Sequence, residues 1–133
     1  MIEPDLLYSV LCDDVRQEHN GKFLLIGLFE HISVRQFPYH HPRLCVMNKW
    51  CNGEGRWVQR TRFVDANDHV LLASEEVQIE LPSLEAINHT VQVFCGLSIP
   101  APGRVWVEVL LNNELKQRYG FQVPLVTTPP PPP

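Results

Sequence analysis

The chain has 133 residues and a formal net charge of −4 at pH 7. This length is typical of one domain that buries its own hydrophobic core, so folding requires neither disulfides nor a structural metal. The acidic balance argues against a protein that binds nucleic acid or acidic lipid over its whole surface. The four cysteines are dispersed singly along the chain, which favours unreactive free thiols in a reducing compartment.

Two features of the chain predict a cytoplasmic protein. No apolar segment approaches the roughly 18–20 residues that cross a bilayer. The first five residues, Met1-Ile2-Glu3-Pro4-Asp5, are acidic and contain a proline, whereas a secretory signal begins with basic residues and an apolar run.

Apolar alternation and turn residues recur about every 8–12 positions, and no helical period is sustained. This pattern predicts an all-β fold, a two-sheet antiparallel β-sandwich over residues 1–126; its immunoglobulin-like type is implied only by a resemblance of the last hairpin, described below. Residues 127–133 end in a run of prolines that cannot join a sheet and are predicted to be an extended polyproline tail. Such a tail is a ligand for an aromatic groove, a spacer or a disordered end.

The first predicted hairpin joins a strand from Leu6 to Glu18 to the apolar run Phe23–Phe29. A three-residue loop, residues 19–21, places Glu18 opposite Lys22. The run is apolar on both faces, which indicates either a central strand covered on both sides or a strand at an interface. Gly27 within the run is predicted to mark a bulge or a bend.

The next predicted hairpin follows a proline-flanked loop at residues 38–42 and turns at residues 52–55. A four-residue loop sets Trp50 opposite Trp57 and turns the apolar face inward. The outer face then carries five basic residues together with Cys45, Met47 and Val58. These basic residues are Arg43, Lys49, Arg56, Arg60 and Arg62.

Three further elements complete the predicted sandwich. Residues 69–81 form one strand, and the next strand turns alternate side chains inward. These inward side chains are Val91, Val93, Cys95, Leu97 and Ile99. In the last hairpin a three-residue loop, Asn112 to Glu114, is preferred over a two-residue Asn112-Asn113 turn, because it alone pairs apolar residues with one another. The resulting pairs are Leu111 with Leu115, Val107 with Tyr119, and Val105 with Phe121.

Neither catalysis nor a metal site is predicted. Asp13 and Asp14 are adjacent on a strand and point to opposite faces, so they do not share one acid–base site. Turn hydrogen bonding or an ion pair is the favoured interpretation, with calcium binding as the alternative. A zinc site at His40-His41 is not favoured, because Cys45 and Cys51 lie about 20 Å apart along one strand. No phosphate loop, dinucleotide fingerprint or serine-hydrolase elbow is present, so no cofactor is expected.

Two stretches resemble known proteins. Leu11-Cys12-Asp13-Asp14-Val15-Arg16, followed by Gly21-Lys22 and Leu25-Ile26-Gly27-Leu28-Phe29, resembles the opening of an uncharacterised family of small bacterial cytosolic proteins. The ending from Pro102 to Val107 is similar to the last hairpin of immunoglobulin-like sandwiches. The resemblance implies bacterial origin and a sandwich fold. It implies no activity and no site residues.

The distribution of charge suggests a function. Of 11 basic and 15 acidic residues, six basic and one acidic lie between positions 31 and 64, which leaves five basic and fourteen acidic elsewhere. The predicted basic face is either a solvated surface balanced by acidic strands or a docking surface for an acidic protein, including a second copy of the chain. Nucleic acid is disfavoured because the face presents no aromatic side chain for stacking.

The leading hypothesis is therefore a non-catalytic protein-interaction module. The alternative is a small-ligand or carbohydrate-binding sandwich that uses Trp50, Trp57 or Trp106.

Overall fold

The computed structural model describes residues 1–127, so the predicted polyproline segment lies almost wholly outside the described residues. The described chain forms nine strands. They are β1 (Asp5–Gln17), β2 (Phe23–Leu28), β3 (Tyr39–Cys51), β4 (Gly55–Val64), β5 (Val70–Ala73), β6 (Val77–Leu81), β7 (Asn88–Ile99), β8 (Gly103–Leu111) and β9 (Glu114–Val123).

The strands form two antiparallel sheets that pack face to face. The first sheet has the order β2-β1-β3-β7. The second has the order β5-β4-β8-β9, and β6 also pairs with β4. The prediction of an all-β, two-sheet antiparallel sandwich is confirmed.

The predicted pairing of β3 with β4 is wrong, because the two strands belong to different sheets. Trp50 does not lie opposite Trp57 in a ladder; it packs across the interior, where its Nε1 donates a hydrogen bond to Gln59 Oε1 at 2.7 Å. The inward faces are nevertheless as predicted, since Leu44, Trp50 and Phe63 are all fully buried. Alternation determines which face of a strand is buried, but it does not determine which strand lies beside it.

The two terminal hairpins confirm most of their predicted register. In the first, Glu18 donates its backbone N–H to Lys22 at 2.8 Å, as a three-residue loop requires. In the last, Val105 pairs with Phe121 and Val107 with Tyr119.

The predicted three-residue loop in the last hairpin is wrong. Asn112 and Asn113 form a two-residue turn with φ values of 47° and 66°, and Leu111 pairs with Glu114. A register shift between Val109 and Leu110 reconciles this turn with the predicted strand pairing. The Asn-Asn dipeptide therefore indicated the turn correctly, and the apolar pattern indicated the strand pairing correctly. A bulge between them makes the two compatible.

The inward assignment along β7 is wrong for three of its five side chains. Val91, Val93 and Cys95 face solvent, whereas Leu97 and Ile99 are buried. The phase of burial changes at Gly96, whose φ of 70° is left-handed and breaks the alternation of the strand.

Two predicted boundaries also differ. The strand predicted at residues 69–81 is split after Ala73, where the Ser74 hydroxyl accepts the Thr61 N–H at 2.9 Å in place of a backbone carbonyl. The predicted loop at residues 38–42 is mostly strand, since β3 begins at Tyr39.

The interior contains two apolar clusters that a layer of polar side chains separates. One cluster includes Val46, Phe63 and Phe94, and the other is built around Trp50. On β3, Asn48 lies between Val46 and Trp50 and is itself fully buried. We name this layer the polar belt; its members are Asn48, Gln59, Thr61, Thr90 and Gln92.

Gln59 is the centre of the polar belt. Its Oε1 accepts hydrogen bonds from Trp50 (2.7 Å) and Thr90 (2.8 Å), and its Nε2 donates to Gln92 at 3.0 Å. Thr90 and Gln92 belong to the first sheet and Gln59 to the second, so these bonds fix how the sheets stack. Among residues 1–127, both polar groups of the Asn48 side chain are buried without a hydrogen-bond partner.

Replacing Gln59 with leucine is expected to lower the free energy of unfolding by about 2–4 kcal/mol, because the Trp50 N–H and the Thr90 hydroxyl lose their shared acceptor. Denaturant unfolding measures the change. The matched control is Gln78→Leu on the exposed face of β6, which is expected to change stability by less than about 0.5 kcal/mol. Equal effects of the two substitutions would contradict a structural role for the belt.

Candidate protein-interaction surface

The five basic residues predicted to share one face do not share it. Arg43 and Lys49 lie on β3 in the first sheet, whereas Arg56, Arg60 and Arg62 lie on β4 in the second. The prediction fails because it assumed that β3 and β4 are neighbours.

The three arginines of β4 are paired with glutamates of the same sheet. Their ion pairs are Arg56–Glu80 at 3.8 Å, Arg60–Glu76 at 3.1 Å and Arg62–Glu108 at 2.6 Å. On the other sheet, Arg43 pairs with Asp14 at 3.1 Å, and the Lys49 ammonium lies 5.9 Å from the centre of the Tyr8 ring. These contacts match the interpretation of a surface balanced by neighbouring acidic residues.

The first hairpin folds back over the outer face of its own sheet. Tyr8, Lys49 and His89 lie level with one another across β1, β3 and β7. Phe23 pairs with Gln17, which lies nine residues beyond Tyr8 on β1. If β1 were straight, this pair would lie about 30 Å from the level of Tyr8 and His89. The Phe23 ring instead lies 5.0 Å from the His89 ring. We name residues 13–27 the hairpin flap.

Contacts with the Asp13–Asp14 backbone hold the base of the flap. The Arg43 guanidinium donates at 3.1 Å both to the Asp13 carbonyl and to the Asp14 carboxylate. The Cys45 thiol lies 3.8 Å from the same Asp13 carbonyl, and the Cys12 thiol donates to the Asp14 carbonyl at 3.5 Å. The flap thus explains why both cysteines are buried although they lie on the outer face of the first sheet.

Gly27 permits the strand of the flap to bend. Its φ is 71°, and it lies beside Asp13, whose carboxylate occupies the space that a side chain at position 27 would fill. Gly27 thus takes a left-handed conformation within β2, and pairing keeps the same register on both sides of it, so the predicted bulge does not form.

The electrostatics of the flap favour ion pairing over chemistry. Hydrogen bonds from Arg16 and then Arg43 lower the pKa of Asp14, which keeps its carboxylate charged. Burial raises the pKa of Cys12 to about 11 and also raises the pKa of Cys45, so both thiols stay protonated and unreactive. Within residues 1–127, no group of three or more histidine, cysteine, aspartate or glutamate side chains is placed to hold a metal ion.

The outward surface of the flap is apolar. Leu24, Ile26 and Leu28 are 48%, 41% and 63% exposed, and they alternate along β2 with Phe23 and Leu25, which are half-buried. We name Leu24, Ile26 and Leu28 the edge row. Because β2 is the outermost strand of the first sheet, the central-strand alternative for this run is wrong. Exposed edge strands usually carry charges or proline that prevent pairing, and the edge row carries neither.

A second feature is a cleft of about 910 Å³ where the chain crosses from β2 towards β9. Its wall includes the hydrogen bond between the Ser9 and Tyr119 hydroxyls at 2.9 Å, and burial raises the pKa of Tyr119 to about 12. Arg104 reaches the cleft across Gly120, where a Cβ would lie 2.6 Å from the Arg104 Nε. Within residues 1–127, Arg104 makes no ion pair; its guanidinium stacks 4.5 Å from the centre of the Trp106 ring.

Two of the three tryptophans named in the sequence-based alternative are engaged by other side chains. Trp50 is fully buried and hydrogen-bonded to Gln59. Trp106 lies between the guanidinium groups of Arg104 and Arg118, at 4.5 Å and 4.1 Å from its ring centre.

Sequence reasoning missed the flap, although one signal was available. The run from Phe23 to Leu28 is apolar on both faces, although only one of these faces packs on a sheet. The sequence does not reveal that the strand covers its own sheet.

The fold and the flap define a small antiparallel β-sandwich in which β2, the outermost strand of the first sheet, exposes apolar side chains. The family model described as "Family of unknown function (DUF6941)" matches residues 7–124, and the chain belongs to that family. The sequence-based prediction of an uncharacterised family is thereby confirmed. A comparison with curated proteins found no match.

Among solved structures, the chain is similar to the Pseudomonas fluorescens alkylpurine DNA glycosylase AlkC bound to DNA containing an abasic site analog. The two are 13% identical with a TM-score of 0.54, and the alignment covers 92% of this chain but only 30% of that one. At this identity the likeness concerns the fold alone. Within the described residues, no helix is long and apolar enough to cross a membrane.

Acidification from pH 7.5 to 5 is expected to destabilise the protein. Burial lowers the pKa of both His41 and His89, and Lys49 lowers that of His89 further. Between the folded pKa values and the unfolded value of about 6.5, the unfolded state binds more protons, so stability falls as the pH falls through this window. Denaturant unfolding at a series of pH values tests this, with His89→Gln expected to flatten the dependence. Constant stability across the range would refute it.

Proposed function

We propose that the protein is a non-catalytic protein-interaction module that self-associates through the free edge of β2. The observation that carries this proposal is the edge row, three alternate apolar side chains exposed on the outermost strand of the first sheet. This surface replaces the basic face predicted from the sequence, because the arginines of that face already have acidic neighbours.

Two physical terms favour association at this edge. Fully burying a leucine or isoleucine side chain contributes about 1.5–3 kcal/mol, and the edge row offers three partly exposed ones. The outer edge of β2 also presents backbone N–H and C=O groups that a second strand satisfies. Both terms act only when another strand lies alongside.

The cytoplasm suits this module. Cys12 and Cys45 lie directly opposite each other on adjacent strands and are free thiols, as expected in a reducing compartment. A bacterial source, implied by the sequence resemblance, remains a prediction.

Ile26→Lys is expected to abolish self-association, because it places a charge at the centre of the edge row. Sedimentation velocity over a range of concentrations measures the effect: the wild type dimerises with concentration, and the variant stays monomeric. Val70→Lys is the matched control, since Val70 is also an exposed strand residue but lies on β5 of the other sheet. A wild type that is monomeric up to millimolar concentration would overturn the proposal.

A second candidate function is the binding of a small carboxylate in the cleft beside β9. Arg104 favours it, because this guanidinium is held over Gly120 and Trp106 without a carboxylate partner in residues 1–127. Benzoate is a suitable probe, and the fluorescence of Trp106 should report its binding. We expect Arg104→Gln to abolish the response while Arg60→Gln retains it. No response from the wild type would remove this candidate.

A further inference from the structure

We infer that two copies of the chain pair their β2 strands antiparallel about a two-fold axis through Ile26, with Lys22 of each copy opposite Glu30 of the other. This inference rests on the proposed self-association and assigns its register. The partner is a second copy because the edge is complementary to itself in both apolar content and charge.

The apolar part of the argument concerns pairing positions. In an antiparallel pair centred on Ile26, Ile26 meets its own copy and Leu24 meets Leu28 of the other chain. All three members of the edge row then contact apolar side chains of the second copy, and none faces a charged group.

Neighbouring registers fail this condition. An axis through Leu25 places Lys22 opposite Leu28, and an axis through Gly27 places Leu24 opposite Glu30. Shifting the pairing by one residue sets the edge row against Phe23 and Leu25, whose side chains face the sheet beneath the flap. Only the axis through Ile26 keeps the apolar pairs together.

The charges agree with the same register. Lys22 and Glu30 flank the edge row at equal distances in sequence from Ile26, and both are exposed. Glu30 lies two residues beyond the end of β2, where its carbonyl accepts the Gln122 N–H at 3.0 Å, so the long side chains of Lys22 and Glu30 make this contact at the end of the strand. Within residues 1–127 neither side chain takes part in an ion pair, whereas Arg16 and Arg43, the cations at the base of the flap, both pair with Asp14. Two-fold symmetry makes two Lys22–Glu30 pairs per dimer.

Gly27 suits this arrangement as well. It lies next to the axis and carries no side chain, so the second backbone can approach the middle of the strand closely. The flap holds the strand in place from below, because Phe23 packs against His89 of β7. The edge is therefore ordered before the second copy arrives, which lowers the entropic cost of association.

Charge reversal and its rescue test the register by sedimentation at low salt. Lys22→Glu and Glu30→Lys should each weaken dimerisation about tenfold, because each creates two like-charge contacts. The double variant K22E/E30K reverses both ends of every pair and should recover the affinity of the wild type. Glu85→Lys is the matched control, since it changes the net charge as Glu30→Lys does but lies in an exposed turn after β6.

The outcomes separate the register from the proposed function. If Ile26→Lys abolishes the dimer but the single charge variants do not weaken it, or the double variant does not recover it, the register is wrong and self-association through β2 stands. If the wild type is monomeric, both proposals fail. Capture of a different protein at the edge row by a monomeric wild type would also overturn the assignment of a second copy.

Discussion

The sandwich depends on a hydrogen-bonded bridge between its sheets. Gln59 reaches from β4 to Thr90 and Gln92 on β7, and it also receives the indole N–H of Trp50. An apolar contact tolerates sliding, whereas these bonds have fixed lengths and directions, and unpaired groups at this depth would be costly. The polar belt therefore determines the relative position of the two sheets.

The outer faces then differ in character. On the second sheet, arginines and glutamates alternate and neutralise one another, as Arg62 and Glu108 do at 2.6 Å. On the outer face of the first sheet, the hairpin flap covers Cys12 and Cys45, whereas Val91 and Val93 of β7 stay exposed. Covering the sheet in this way turns the opposite face of β2 outward. The edge row is thus a consequence of the flap, because a strand that buries Phe23 and Leu25 must present Leu24 and Ile26.

The sequence predicted burial well and neighbours poorly, for a physical reason. Alternation is a property of a single strand, so Leu44, Trp50 and Phe63 were placed inward correctly. Pairing depends on the path of the connecting turn, and residues 52–54 carry the chain between sheets instead of closing a hairpin. The predicted basic face assumed that β3 and β4 are paired, so it does not exist once these strands lie in different sheets. At Gly96 and at the bulge beside Val109, the alternation of inward and outward side chains is interrupted. The pattern of apolar residues in the sequence does not predict either interruption.

The accessibility of the thiols beneath the flap reports the motion of the flap. Cys12 and Cys45 are shielded while the Asp13–Asp14 backbone lies over them, and Cys95 on β7 is exposed throughout. A flap that lifts without global unfolding makes two sulfur atoms accessible at a rate set by local opening. The rate at which Cys12 and Cys45 are labelled, relative to Cys95, therefore reports how often the flap opens, and the proposed pairing of β2 with a second copy is expected to slow it.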